Sequence, residues 1–257
     1  MSERIHELLA RGDELLADEV RRIPVGAVVS TPTLPEVVGL NVVRVQDEDA
    51  DAATVAAIAD LEQAALPRRL IAAPGESIGS RLEPGLRQRG YDAHRDLVMV
   101  HRYGPPTSAR EAGEVSFERA SPMLAAFRRT RSYADRPGII EQLAGLDARA
   151  TRALAARDFC APPGEPLAGC RLFTLDGSAQ IEHVGTLPDA RGRGLAGAAV
   201  RAAIAAAYAG GLDPIFILAD PGEWTAAWYA RLGFEAVGER WEFGREAESG
   251  GVSSPGQ

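Results

Sequence analysis

The sequence predicts an α+β protein in which a mixed, largely antiparallel sheet is flanked by helices. Short strand-like runs alternate with helical segments through the second half of the chain. In addition, Leu-Ile-Ala-Ala-Pro-Gly-Glu at 70–76 parallels Ile-Leu-Ala-Asp-Pro-Gly-Glu at 217–223, and further landmarks at 89–102 parallel those at 232–245. Both observations indicate strand–helix–strand units, and the second suggests an internal repeat.

The individual elements follow from periodicity and from turn residues. We expect an amphipathic helix at the N-terminus, then further helices and strands to the end of the second repeat. The predicted helices are 1–22, 53–65, 123–133, 139–156, 195–208 and 220–231. The predicted strands are 114–120, 159–161, 167–175, 181–186 and 214–219, with a turn at Asp176-Gly177. Asp220 is the expected N-cap of the last helix. Trp224 and Trp228 are expected in the core, and the alternative is that one of them lines the acceptor pocket.

A polar segment with two prolines, 103–113, is the clearest linker. It divides the chain into an N-terminal domain at 1–107 and a C-terminal domain at 108–245. The remaining residues, 246–257, are rich in Ser, Gly and Pro and are predicted to be disordered.

Composition excludes several classes of function. The 257 residues carry a net charge of −8, which disfavours non-specific binding to nucleic acid. No lysine occurs, so chemistry that needs a lysine amine is excluded. We expect a cytoplasmic protein, because no apolar run has membrane-spanning length and the N-terminus does not resemble a signal peptide. Cys160 and Cys170 lack metal-ligand spacing and are predicted to be free thiols, and no metal site is expected.

The most informative segment is 181–196, Ile-Glu-His-Val-Gly-Thr-Leu-Pro-Asp-Ala-Arg-Gly-Arg-Gly-Leu-Ala, which leads into an alanine-rich helix. Glycines at a helix start allow backbone N–H groups to approach an anion, and the helix dipole favours a phosphate there. Arg191 and Arg193 add positive charge. The segment therefore predicts a site for a phosphate or pyrophosphate.

This segment resembles the acetyl-CoA-binding motif of the GNAT acetyltransferase superfamily, Arg/Gln-x-x-Gly-x-Gly/Ala, through Arg191, Gly194 and Ala196. The Tyr229…Gly233-Phe234 spacing is similar to the second signature of that superfamily. The resemblance implies the GNAT fold and transfer of an acetyl group from acetyl-CoA to a primary amine, either of a small molecule or of a protein. It implies that the thioester arm and the phosphates contact Val184, Gly185, Thr186, Arg191, Gly192, Arg193, Gly194, Leu195 and Ala196.

Two alternatives compete for the same loop. Gly192–Gly197 also fits the Gly-x-Gly-x-x-Gly dinucleotide fingerprint, but a Leu-Pro-Asp-Ala-Arg loop separates it from the strand, and the sixty residues that follow are too few for a doubly wound sheet. The loop is alternatively a plain helix start with no ligand. At the level of function, the alternative to an enzyme is a non-catalytic CoA-binding module.

The catalytic candidates are Tyr229 and Glu182. The resemblance implies that Tyr229 protonates the departing thiolate, and packing between helix and sheet is its alternative role. An amine acceptor is mostly protonated at neutral pH and needs a base, for which Glu182, His183 and a water chain remain open. In alternating strand geometry Glu182 shares a face with Val184, and His183 shares the other face with Gly185.

The N-terminal copy of the repeat has no phosphate loop. The corresponding segment, 41–50, contains no glycine and has acids at Asp47, Glu48 and Asp49. Because acids repel phosphate, we expect a degenerate GNAT-like half that packs against the C-terminal half or shapes the acceptor groove.

Overall fold

A computed structural model describes residues 1–106 and 111–247 of the chain. The helices are α1 (Ser2–Leu16), α2 (Ala52–Glu62), α3 (Gly75–Arg87), α4 (Phe117–Arg128), α5 (Ile139–Ala153), α6 (Leu195–Ala209) and α7 (Trp224–Arg231). The strands are β1 (Glu19–Ile23), β2 (Gly26–Ser30), β3 (Val42–Val45), β4 (Arg68–Pro74), β5 (Asp92–His101), β6 (Gly113–Val115), β7 (Arg157–Ala161), β8 (Ala168–Leu175), β9 (Ser178–Thr186), β10 (Ile215–Ala219) and β11 (Phe234–Glu246).

All these strands form one sheet in the order β1-β2-β3-β4-β11-β5-β10-β9-β8-β7-β6. Only the pairs β3–β4 and β9–β10 are parallel, so the sheet is mixed and largely antiparallel, as the sequence predicts. Helices cover both faces. We call the face that carries α2, α3, α6 and α7 the α6 face, and the face that carries α1, α4 and α5 the α1 face.

The two halves of the chain repeat one order of elements. The N-terminal half contains β3–α2–β4–α3–β5, and the C-terminal half contains β9–α6–β10–α7–β11. The landmarks at 70–76 and 217–223 fall at the same place in each copy, where the second strand ends and the next helix begins. The repeat seen in the sequence is therefore a repeat of structure.

The last strands of the two copies are exchanged. β11 lies beside β4 of the N-terminal half, whereas β5 lies beside β10 of the C-terminal half, and β5 and β11 pair with each other. The sheet consequently runs through both halves without interruption. The boundary near residue 108 stays a prediction, and residues 107–110 of the linker lie outside the described part of the chain.

Several local predictions are wrong, each for an identifiable reason. The N-terminal helix ends at Leu16 rather than Arg22, because 19–30 form the hairpin β1–β2. The strand predicted at 114–120 is only Gly113–Val115, since the Ser116 side chain accepts a hydrogen bond from the Arg119 N–H and caps α4. β11 extends to Glu246, and the disordered tail predicted to follow lies, from residue 248, outside the described residues.

Candidate active site

The strands β9 and β10 pair over a short distance and then separate. Their parallel register joins Ala179–Ile181 to Ile215–Ile217, and β9 continues to Thr186 without a further β10 partner in the described structure. The end of β9 therefore forms one wall of a wedge beside β10. A cavity of about 680 Å³ opens here.

The cavity is lined by the end of β9, the start of α6, the start of α7 and the last turn of α4. Its wall contains nine of the eleven site residues predicted from the sequence: Val184, Gly185, Thr186, Arg191, Gly192, Gly194, Leu195, Ala196 and Tyr229. Glu182 and Arg193 do not line it. Distant parts of the chain thus meet at one site, as predicted, with these two exceptions.

The glycine loop has the conformation that an anion site requires. Gly192 and Gly194 have φ of +75°, which glycine adopts at little cost, and no atom lies within 4 Å of the position that a β-carbon would take at either residue. Gly194 precedes the first residue of α6, whose opening N–H groups have no partner within the helix. The loop therefore presents accessible backbone donors to the cavity.

The cavity carries more positive charge than negative charge. Arg131, Arg191 and Arg201 line it, together with one acid, Glu223. Gly197 leaves room for the Arg201 side chain, whose Nη1 atom lies 3.4 Å from the place that a β-carbon at 197 would occupy. An anionic ligand therefore suits this site.

The sequence analysis missed Arg201 and Arg131. Arg201 is the single charged residue within α6, and this was a usable signal. Arg131 follows α4 and reaches the cavity only through the tertiary fold, so no local pattern identifies it.

Trp224 is not the core residue that the sequence predicts, whereas Trp228 is half-buried and packs against the core. Trp224 is 69% exposed, and both Trp224 and Trp228 line the cavity. The N-cap prediction for this helix is also wrong, because Asp220 instead accepts a hydrogen bond from the Gly222 N–H, and α7 begins only at Trp224. Four residues of turn therefore separate β10 from α7 and place Trp224 at the rim.

Tyr229 lies on α7 and is 7% exposed, with its accessible part facing the cavity. Among the described residues its hydroxyl has no hydrogen-bond partner, so it remains available to a ligand. Burial and the nearby charge of Glu182 hold the pKa of Tyr229 well above its usual value. The hydroxyl is therefore protonated at neutral pH.

A β-bulge changes the orientation of the residues that precede the cavity. Gly169 and Arg171 of β8 face Gly185 and Glu182 of β9, so one extra residue is accommodated in β9, and His183 has φ of +54°. Because of this extra residue, the expected alternation of faces is wrong: Glu182 does not share a face with Val184.

Cross-strand contacts show the actual faces. Glu182 pairs with Arg171, and the His183 ring contacts Phe173, both on the α1 face. Gly185 also lies on that face, under Phe127 of α4, whereas Val184 packs with the core on the α6 face. The bulge thus turns Val184 alone, among these residues, toward α6.

Glu182 is a partly exposed carboxylate on the α1 face. It accepts a hydrogen bond from Gln180 at 2.5 Å, and burial raises its pKa to about 7. His183 differs, since burial and the charges of Arg128 and Arg171 outweigh Asp147 and lower its pKa to about 4. Its Nδ1 atom accepts a hydrogen bond from Arg128 at 3.2 Å. The pKa of Glu182 therefore lies closer to neutral pH than the pKa of His183 does.

The corresponding helices of the N-terminal half lie close together. Helix α3 packs on the start of α2, and a β-carbon at Gly85 would lie 2.6 Å from the Ala52 β-carbon. Arg81 donates a hydrogen bond to the Ala50 carbonyl and joins α3 to the loop before α2. These two contacts leave little space between α3 and the start of α2.

Other predicted features can be placed in the structure. Cys160 and Cys170 are free, buried thiols in β7 and β8. Within residues 1–106 and 111–247, no helix has both the length and the apolar character needed to cross a bilayer. In the same ranges no group of three or more His, Cys, Asp or Glu side chains has a metal-binding arrangement.

Comparison with known proteins identifies the class to which this fold and site belong. Residues 122–234 match the model of the Acetyltransferase (GNAT) family. The chain thus contains a GNAT acetyltransferase domain at 122–234, and proteins of this family transfer acyl groups from acyl-CoA. None of the curated proteins compared matches the chain.

Solved structures resemble the whole chain in fold. A GCN5-related N-acetyltransferase from Kribbella flavida is 18% identical, with 96% of each chain covered and a TM-score of 0.66. A functionally unknown conserved protein from Staphylococcus epidermidis is 13% identical, with 90% of this chain and 94% of that chain covered and a TM-score of 0.68. A tandem GNAT protein from the clavulanic acid biosynthesis pathway is 13% identical over 76% of this chain and 69% of its own, with a TM-score of 0.50.

Proposed function

We propose that the protein is an N-acetyltransferase that transfers the acetyl group of acetyl-CoA to a primary amine. The observation that carries this proposal is the joining, in one cavity, of a glycine–arginine loop at a helix start with a buried tyrosine hydroxyl. The loop suits the phosphates of acetyl-CoA, and the tyrosine suits the leaving thiolate. Acetyl-CoA carries its pyrophosphate at a distance from its thioester, so one molecule would reach both groups.

Gly192–Ala196 would contact the pyrophosphate through backbone N–H groups, and Arg191 would add a charge-assisted contact. Arg201 and Arg131, which also line the cavity, would contribute to binding of the anion. Val184–Thr186 would hold the pantetheine arm beside the open edge of β9, because backbone groups there have no partner from β10.

The reaction needs a neutral amine, which attacks the thioester carbonyl carbon while the carbon–sulfur bond breaks. A backbone N–H of the β9 end would polarise the carbonyl oxygen. Tyr229 would donate its hydroxyl proton to the departing thiolate, and the proton that the amine nitrogen loses on forming the amide would return to the tyrosinate through solvent. Tyr229 is protonated at neutral pH, as this step requires, and its raised pKa makes it a weaker acid than a free tyrosine.

Glu182 would accept the proton of the acceptor ammonium. It lies one residue beyond Ile181, the last residue of β9 that pairs with β10, on the α1 face. Its pKa of about 7 matches that of a base that acts near neutral pH. Because Glu182 does not line the cavity itself, we propose that the amine approaches from the α1 face while acetyl-CoA lies in the cavity.

The proposal is tested with acetyl-CoA and a panel of primary amines, with release of CoA followed by a thiol reagent and the product identified by mass spectrometry. The protein's own cysteines are buried and contribute little background. Amine-dependent CoA release that Tyr229→Phe greatly slows would support the proposal. Binding of acetyl-CoA without turnover across the panel would contradict it and would favour a non-catalytic CoA-binding module.

A further inference from the structure

An ionic network lies under the bulge of β9 on the α1 face. Arg128 of α4 forms a bidentate ion pair with Asp147 of α5, and these residues are only 4% and 2% exposed. Arg171 of β8 is fully buried, and it binds Asp147 at 3.0 Å and Asp158 at 2.9 Å. The two arginines and two aspartates balance in charge, so a neutral His183 completes the network without excess charge.

Arg128 also connects this network to the bulge. Its Nη2 atom donates to Asp147 at 3.0 Å and to the Nδ1 atom of His183 at 3.2 Å. The position of Arg128 is itself fixed by the ion pair. The imidazole is therefore held by a buried donor that has little freedom to move.

The backbone of His183 needs such support. Its φ of +54° lies in the left-handed region, which is unfavourable by about 1–2 kcal/mol for a residue with a β-carbon. A regular strand through His183 would remove this strain, but it would also restore alternation and turn Val184 away from the cavity. The orientation of Val184 toward the cavity thus depends on the unfavourable backbone conformation of His183.

We infer that Arg128 and Asp147 act through His183 as positioning residues that hold the β9 bulge, and thereby aim Val184–Thr186 at acetyl-CoA. Neither Arg128 nor Asp147 lines the cavity, so their effect on the ligand is indirect. This inference rests on the proposed function, because acetyl-CoA is the ligand that the strand would hold.

Substitutions at 183 separate backbone conformation from side-chain chemistry. His183→Val disfavours positive φ, whereas Gly adopts it readily and Asn tolerates it while retaining an acceptor for Arg128. We expect the Kd for acetyl-CoA to rise at least tenfold in His183→Val and to stay within about threefold of wild type in His183→Gly and His183→Asn. The inference would be overturned if folded His183→Val bound acetyl-CoA as tightly as wild type. It would also be overturned if His183→Gly lost as much affinity as His183→Val.

A double-mutant cycle tests whether Arg128 acts through His183, and remains informative if His183→Val does not fold. Arg128→Gln should weaken acetyl-CoA binding several-fold in the wild-type background but not in His183→Gly, where the bulge forms without support. Thermal unfolding should show that Arg128→Gln lowers stability in both backgrounds. A loss of acetyl-CoA affinity in the wild-type background alone is therefore not explained by lower stability. Equal weakening in both backgrounds would refute the inference.

Isothermal calorimetry on the full chain provides the binding reference. If the wild-type protein does not bind acetyl-CoA, the proposed function and this inference both fail. If the wild type binds and all variants bind equally, only the inference fails. The two failures are therefore distinguishable.

Discussion

Gly185 lies so close to the ring of Phe127 that a β-carbon at residue 185 would be 2.7 Å from the Phe127 Cδ1 atom. This contact joins the cavity-lining end of β9 to α4. Because real β-carbons do not approach other atoms so closely, Gly185→Ala must displace either the ring or the strand. We expect a loss of about 1–3 kcal/mol in unfolding free energy, as is usual for an overpacked site, together with weaker acetyl-CoA binding.

Chemical denaturation and calorimetry measure these two effects of Gly185→Ala. Gly39→Ala is the matched control, since nothing lies within 4 Å of the added methyl group there and the site is remote from the cavity. Unchanged stability and affinity in Gly185→Ala would show that α4 does not restrain the strand.

The glycine loop contains its own control pair. Arg191 lines the cavity and Arg193 does not, although only one residue separates them. Arg191→Ala should cost about 1.5–3 kcal/mol of binding, a roughly 10- to 150-fold rise in the Kd for acetyl-CoA, as expected for a charge-assisted hydrogen bond. Arg193→Ala should change the Kd little. If Arg191→Ala and Arg193→Ala lose affinity equally, the arginines act through their general positive charge and not through a direct contact of Arg191.

Tyr229→Phe removes the hydroxyl and keeps the ring that packs against Trp228 and Phe234. Acetyl-CoA affinity and melting temperature should remain near wild type, while the single-turnover rate should fall about 100- to 10,000-fold, the range of general acid catalysis. A rate within about threefold of wild type would mean that the proton comes from water or from another group.

The raised pKa of Glu182 predicts pH dependence of both activity and stability. If Glu182 is the base, kcat/KM should rise with pH through about 7, and Glu182→Gln should be slow and should lack this step. For stability, a folded-state pKa above the unfolded value near 4.3 means that the contribution of this group is complete below pH 4 and is lost as pH rises through 7. Glu182→Gln should therefore gain stability relative to wild type as pH increases, as measured by denaturation at pH 4.5 and pH 8.

One acetyl-CoA should bind per chain. In the N-terminal half, α3 packs closely on the start of α2 at Gly85 and Ala52, and the segment before α2 carries Asp47, Glu48 and Asp49 in place of a glycine–arginine loop. A calorimetric titration of the wild type should give a stoichiometry near one, and Arg191→Ala should weaken that single event. Two binding events would contradict the degenerate assignment of the N-terminal half.

The sequence predicts the parts of the site that depend on local signals. The positive φ of Gly192 and Gly194 and the start of α6 at Leu195 follow from glycine spacing and helix periodicity. The position of Glu182 could not be predicted in this way, because strand alternation assumes a regular β9. The bulge at His183 is stabilised by Arg128, 55 residues earlier, and no pattern around 183 shows it.

Long-range pairing explains the remaining differences. The sequence predicts β10 and then α7 in the observed order, but β11 is not among the predicted strands. The strand that lies beside β10 is decided by register across the two halves. Trp224 shows the same limit, since spacing of four residues from Trp228 indicates a shared helix face and does not tell whether that face meets protein or a cavity.

The exchange of β5 and β11 has a consequence for dissecting the protein. A fragment that ends after β5 would leave β4 without its neighbour, and a fragment that begins at β6 would leave β10 with an open hydrogen-bonding edge beside the wedge. Open edges of this kind promote association with other chains. The C-terminal half should therefore be insoluble by itself and become soluble when it is co-expressed with the N-terminal half, because β5 then covers the exposed edge of β10.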